Sequence, residues 1–296
     1  MTPAAAGTRP TPPRRVLSLC PSATEIVAAL GAGSALVGIS GECDFPPSVL
    51  QLPRVTASAL DQKLPSAAID AEVRRLKDAG QAATTTDLEA IRRLRPDLVV
   101  VQDLCDVCAA DGAATERLLE GLDPRPAILR LAGTSLRGVE DDIRQVGAAL
   151  GLEDEADELT AGMRYRLRQV AGRAAPVRRR VVCVEWLDPL YLAGHWVPEL
   201  VAVAGGEDVG GESGSRSRRR AWAEVAAMRP EVLLVMPCGL GVARARTEWA
   251  GFARAHPGVV SLLGSAEVRY LDGTLTSRPG PRLVEAAEAI QEAIRR

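Results

Sequence analysis

Apolar residues alternate along this chain between two rhythms. Short continuous runs of Val, Leu and Ile give way to longer stretches in which apolar positions recur three or four residues apart. The first pattern predicts buried strands and the second predicts amphipathic helices. Arg14–Leu19 reads as a strand, followed by a helix over Ala23–Leu30. Ser22 stands at its cap with Glu25 three residues on, a capping-box spacing, and Gly31-Ala32-Gly33 stops it. Val37–Ile39 is a second strand. It opens into Gly41-Glu42-Cys43-Asp44-Phe45-Pro46-Pro47, a loop that the two prolines fix. Residues 54–66 read as irregular, and Ala67–Ala79 as a helix with Ile69, Val73 and Leu76 on one face. Thr86 caps a helix over Asp87–Leu94, Pro96 ends it, and Leu98–Gln102 is a strand. A helix over Ala113–Leu122 and a strand over Ala127–Leu131 follow. Strand and helix thus alternate through residues 14–133, which predicts a parallel sheet with helical crossovers.

From Ser135 the rhythm is helical only. Val139, Ile143, Val146 and Leu150, then Leu159, Met163, Leu167 and Val170, keep that spacing to Arg173, interrupted at Gly151-Leu152-Glu153. Alternation then resumes. Val181–Glu185 is a strand, Trp186–Gly194 a loop, and His195-Trp196-Val197-Pro198 opens a helix that Gly205-Gly206 ends. Gly210–Arg220 reads as a mobile basic loop and Ala221–Met228 as a helix. Val232–Met236, Val259–Leu262 and Val268–Leu271 read as strands, and Pro281–Ile294 as the closing helix. One device occurs twice, at Leu94–Cys108 (LRPDLVVVQDLCDVC) and Met228–Gly239 (MRPEVLLVMPCG): helix end, proline, strand, cysteine. The expected architecture is an α/β protein of two similar lobes, residues 14–133 and 177–296, joined by a helical segment over 134–176. The Pro/Ala-rich residues 1–13 are expected to form a disordered tail.

Composition narrows the function classes. The chain has 296 residues, 47% hydrophobic and 25% charged, enough for two ordinary cores. Its net charge of −2 carries no electrostatic footprint for nucleic acid, and aromatics at 3% leave few stacking platforms. No apolar run reaches the roughly 20 residues of a membrane span. The N-terminus lacks the apolar core of a signal peptide, and the run before Cys20 is too short for a lipid-anchor site. As written, the chain is expected in the cytoplasm, or in the periplasm or outside the cell if an upstream signal precedes it.

The candidate chemistry lies after the strands. Cys43 beside Glu42, Cys105 with Cys108, Glu185 beside Trp186, and Cys238 all follow strand C-termini, where open α/β sheets bind ligands. His195 beside Trp196 follows at a helix entrance. Thiolate and imidazole suit soft and borderline metals, and Cys-x-x-Cys lets one turn supply two ligands. Cys20 and Cys183, in or beside strands, read as core residues, and His256 as a surface one. Glu185 at the end of a buried strand needs a partner, a ligand or an opening. Arg278 and Arg282 flank a stiff turn before a helix N-terminus, an anion-binding arrangement. Nucleophile-elbow, phosphate-loop and HExxH motifs are absent.

Five strings carry a resemblance across essentially the whole chain: RVLSLCPSATEIVAALGAGSALVGIS, CDFPP, RPDLVVV, GGEDV and RPGPRLVEA. They resemble the helical-backbone substrate-binding proteins of ABC importers, the cobalamin (vitamin B12)-binding branch most closely, and within it a cysteine-bearing subgroup without a signal peptide. The resemblance implies two Rossmann-like lobes, a backbone helix and a ligand clamped between the lobes. The family's ligands are siderophores, haem, corrinoids and metal ions, and an ABC permease is its partner. This chain lacks the aromatics that corrinoid clefts use after the RPD strand and before the C-terminal arginine turn. Three readings stay open. In the first, a binding protein captures a metal-containing small molecule, a corrinoid by resemblance. Cys43, Cys105, Cys108 and Cys238 then serve as thiolate contacts, His195 as imidazole ligand, Glu185 as a carboxylate contact and Arg278 as the contact for an anionic group. Glu42, Trp186 and Trp196 line the same cleft. In the second, a cytosolic metalloprotein or enzyme holds zinc or an iron–sulfur cluster on the cysteines. In the third, the cleft takes an organic anion through Arg278 and Arg282.

Overall fold

The computed structural model describes residues 12–295 apart from Asp103, residues 105–116 and Leu118. Its first sheet is formed by β1 (Val16–Ser18), β2 (Leu36–Ile39), β5 (Leu98–Gln102) and β6 (Ala127–Leu131), all parallel, in the order β2-β1-β5-β6. Continuous Val/Leu/Ile runs suit strands covered on both faces. Helix α1 (Pro21–Ala29) follows β1. Pro21 starts it after Cys20 as cap, so Glu25 lies two residues beyond the capping-box position and its carboxylate turns elsewhere. Residues 54–66 are not wholly irregular: β3 (Thr56–Ser58) pairs antiparallel with β4 (Thr84–Thr86). Helix α2 (Ser66–Asp78) spans the connection between them. The cap of α3 (Leu88–Leu94) is Asp87, not Thr86; its carboxylate accepts from Ala90 N–H at 2.8 Å. Half of the expected helix Ala113–Leu122 lies outside the described residues.

The backbone segment is an antiparallel pair, α4 (Leu136–Leu150) and α5 (Glu153–Gly172). Gly151 makes the reversal with φ +70°, a left-handed value that glycine adopts without strain. Cross-links run in antiparallel register: Arg164 to Glu140 at 2.6 Å, and Arg144 to Asp157 at 2.9 Å and Thr160 at 2.8 Å. Gly162 sits exposed within α5, and a Cβ there would meet nothing within 4 Å. Gly162→Ala is therefore expected to raise stability by about 0.5–1 kcal/mol through helix propensity. A urea titration showing no gain would contradict that.

The second sheet runs β10-β8-β7-β11-β12, with β9 (Glu207–Asp208) beside the start of β7. Strands β7 (Arg180–Leu187), β11 (Val232–Val235) and β12 (Glu267–Tyr270) are parallel, and β8 (Leu190–Leu192) folds back antiparallel on β7. The loop Gly210–Arg220 is tied down rather than loose, for β10 (Arg218–Arg219) pairs with β8. Helices α6 (Val197–Ala204), α7 (Trp222–Ala227) and α8 (Val242–Ala255) flank this sheet. The expected strand Val259–Leu262 is a helix, α9 (Pro257–Leu263). Pro257 opens it, and Val260 and Leu262 stay exposed, as a buried strand would not allow. A short α10 (Gly273–Thr276) precedes the closing α11 (Leu283–Arg295).

One apolar cluster joins the two sheets. It runs from Val16 and Ile26 through Ile143, Val146, Met163 and Val170 to Val201 and Ile290. The backbone helices are thus part of the core rather than a tether.

Candidate functional site

The turn after β12 reaches across to the loop after β2, so the C-terminal ends of the two sheets meet. Asp272 starts that turn, accepting from Thr274 N–H at 2.9 Å, and the chain then passes through α10 to Arg278. The guanidinium of Arg278 donates to Asp44 Oδ2 at 3.1 Å, to Glu25 Oε1 at 3.2 Å and to the Glu42 carbonyl at 3.3 Å. Arg282 reaches the same Glu25 oxygen at 3.4 Å, and its guanidinium lies 4.2 Å from the centroid of the Phe45 ring. The expected anion contact is therefore engaged by the protein's own acids.

Three pKa shifts describe this junction. Burial pushes the Glu25 carboxyl up, and Arg278 and Arg282 offset that only in part. Burial also raises Asp44, but the hydrogen bonds and charge of Arg278 outweigh it and hold the carboxyl below its ordinary value. Arg278 itself is raised: burial lowers it, and Asp44 with Glu25 more than compensates. The second oxygen of Glu25 is buried with no hydrogen-bond partner among the described residues.

The cysteines do not behave alike. Cys43 is fully buried, with its sulfur 3.1 Å from Thr24 Oγ1, and burial pushes its thiol up. Cys20, pushed up to about 12 by burial, and Cys183 are core thiols, as expected. Cys238 is half-buried, and its N–H donates to the Glu185 carbonyl at 3.0 Å, placing it beside Glu185 and Trp186 at the end of β7. Cys105 and Cys108 lie outside the described residues. Among the described residues no group of three or more His, Cys, Asp or Glu could hold a metal ion. Cys43 stands in no such group among the described residues, and its sulfur is engaged by Thr24 Oγ1.

His195 follows β8 with φ +53°, and its N–H donates to the Ser215 carbonyl at 2.6 Å. Burial, with the charge of Arg216 nearby, holds its pKa below the ordinary value, so the ring is neutral at pH 7. Nε2 is buried without a hydrogen-bond partner among the described residues. Trp196 is buried beside it, ring centroids 5.4 Å apart, and its Nε1 donates to the Thr276 carbonyl at 2.9 Å. Trp196 thus ties α6 to the turn that carries Arg278.

The structure brings Glu42, Asp44 and Arg278 together, Glu185 with Cys238, and His195 with Trp196. Sequence reasoning missed Glu25, Asp44 and Phe45 as partners of the two arginines. The available signal was a pair of arginines in a proline-rich turn at a sheet's C-terminal end, two cations that need acids if they are buried.

Comparison with known proteins agrees with this fold. The vitamin B12-binding protein of Vibrio cholerae is 23% identical over 285 residues, covering 95% of this chain and 89% of that protein. Two solved structures share the fold. A possible iron-binding periplasmic solute-binding protein from Staphylococcus epidermidis has a TM-score of 0.72 at 17% identity, covering 97% of this chain and 100% of its own. A periplasmic heme-binding protein from Pseudomonas aeruginosa has a TM-score of 0.70 at 21% identity, covering 95% and 92%. Family members bind small molecules and work with an ABC permease, and no described helix is long and apolar enough to cross a membrane. The periplasmic binding protein family matches residues 16–259, and the chain belongs to it as a helical-backbone substrate-binding protein of the ABC-importer type.

Proposed function

We propose that the protein captures a metal-containing small molecule, a corrinoid or a haem, where the two sheets meet, and delivers it to an ABC permease. The observation that carries this reading is His195 Nε2: a neutral imidazole nitrogen, buried and lacking a partner among the described residues. Such a nitrogen costs free energy unless something satisfies it, and imidazole is a common ligand for the metals of both cargo types. The vitamin B12 relative supports the corrinoid, and the heme-binding neighbour the alternative cargo. Glu185, Trp186 and Cys238, gathered at the end of β7, would line the same site with Glu42. Capture for import requires meeting the cargo outside the cytoplasmic membrane, which favours the periplasmic or extracellular setting over the cytoplasmic one. The zinc or iron–sulfur alternative is not favoured, because the family match and the vitamin B12-binding relative support small-molecule capture, and among the described residues no group of three or more ligands stands together.

Titration with aquacobalamin and with haem, followed by visible absorbance, tests the reading. Exchange of the axial water for His195 should shift the bands of the matching cargo. His195→Ala should abolish the shift and weaken binding by at least about tenfold, ~1.4 kcal/mol. A proton competes with the metal for Nε2, so the wild-type advantage should fade as pH drops through the depressed pKa of His195. Binding that is as tight in His195→Ala, with the same spectrum, would sink the imidazole role.

A further inference from the structure

Helix α2 has no cap of its own. The residue before it is Pro65, which has no side-chain acceptor, so the first N–H groups need partners from outside the helix. One partner comes from the second sheet's side of the molecule. Ser66 N–H donates to Glu248 Oε2 at 2.9 Å across 182 residues of sequence. Glu248 is positioned by Arg244, one turn earlier on α8, whose Nε donates to Oε1 at 2.8 Å; Arg244 also donates to the Leu64 carbonyl. Both Ser66 and Glu248 are buried at this contact.

The mounting of α2 is one-sided. Its base, the β3–β4 ribbon, is fixed to the first sheet, for Val55 N–H donates to the Ile39 carbonyl at 2.9 Å and Gly41 N–H to Thr56 Oγ1 at 2.9 Å, while Asp87 N–H closes the ribbon's end on the Val55 carbonyl at 2.8 Å. Its helix instead packs against β7 of the second sheet. That packing is sparse, for only Ser66, Ile69 and Leu76 of its 13 residues are buried. Segments with few buried apolar contacts open first.

We propose that residues 59–83 form a strap across the junction of the two sheets, latched by Glu248. When the carboxylate caps α2 and complements its N-terminal dipole, the strap is ordered and seated. When Glu248 moves away, the first turn of α2 loses its partner and the strap lifts while its ribbon base stays. Seating and helix order are then one event, and opening the junction on this side does not require breaking the Arg278 ion pairs. The strap is independent of which cargo the protein takes, and its test uses no cargo.

Hydrogen exchange of the full-length, ligand-free protein, read by mass spectrometry, decides it. Glu248→Ala should speed exchange in residues 66–78 about tenfold, with α8, β11 and the β3–β4 ribbon unchanged. Ser66→Pro is the second variant. It deletes the donor but suits the first helical position, and it should give the same local increase even if the loss of Glu248 disturbs α8. Unchanged exchange across α2 in both variants overturns the strap. So does an increase that spreads through α8 and β11 in both, since the contact would then be ordinary packing between the halves.

Discussion

Arg278→Ala is expected to cost about 3 kcal/mol of unfolding free energy at pH 7, the range for breaking a buried ion pair by removing one partner. The Arg278 side chain is 11% exposed and that of Glu25 2%, so the stranded carboxylate is poorly reached by water. Asp44 is 57% exposed and contributes less. The pH dependence has a definite sign. Glu25 titrates above its ordinary value, so stability is lost as pH rises past that value and through the raised one; without Arg278 the shift grows. Asp44 titrates below its ordinary value, so it contributes stability that is present above that value and lost as pH falls through the depressed one. Both effects make the deficit of Arg278→Ala larger at neutral than at acid pH. Urea unfolding at pH 7 and at about pH 3, below the ordinary values of both carboxyls, measures it. An equal deficit at both would mean the guanidinium acts through packing alone.

Gly273→Ala is expected to destabilise by about 3 kcal/mol, the upper end for overpacking. A Cβ at this position would lie 1.8 Å from the Pro237 carbonyl oxygen, a backbone atom that no rotamer change can remove. Gly273 N–H also donates to the Leu240 carbonyl at 2.9 Å, so the turn cannot simply lift away. Displacing it would shift Thr276, the acceptor of Trp196 Nε1, and with it Arg278. Thermal unfolding gives the size of the effect, and tryptophan emission reports the Trp196 contact. A drop in melting temperature without an emission change would confine the damage to the Pro237 contact. An unchanged melting temperature would overturn the prediction. Gly162→Ala, in open space on α5, is the opposite case, and the two should differ in sign.

Where the chain follows one periodicity for long enough, its elements were readable. Leu98–Gln102, Ala127–Leu131 and the helix ending at Gly205-Gly206 lie where the apolar runs and the glycine stop place them. The expected break at Gly151 is a full reversal between two helices. The errors fall where a short run fits two elements. Val259–Leu262 has the apolar content of a strand, yet Pro257 can start a helix, and the choice depended on what covers it. Ribbon β3–β4 was invisible because Thr56–Ser58 and Thr84–Thr86 are polar and find each other only across 25 intervening residues.

Sequence by itself determined the parallel strands at the heart of the two sheets and the helical backbone between them. These follow from local periodicity and from proline and glycine breaks, which act over a few residues. Only the tertiary structure decided the roles of Glu25, Arg278, Cys43 and Glu248. Glu25 looked like a cap and is the buried partner of two arginines more than 250 positions away. Arg278 looked like a ligand contact and is bound to the protein's own acids, and Cys43 looked like a metal ligand and is a buried thiol. Glu248 carried no signal and caps a helix from the other half of the molecule. The charge, protonation and partners of a side chain depend on burial and on distant groups, and neither is fixed until the two halves meet.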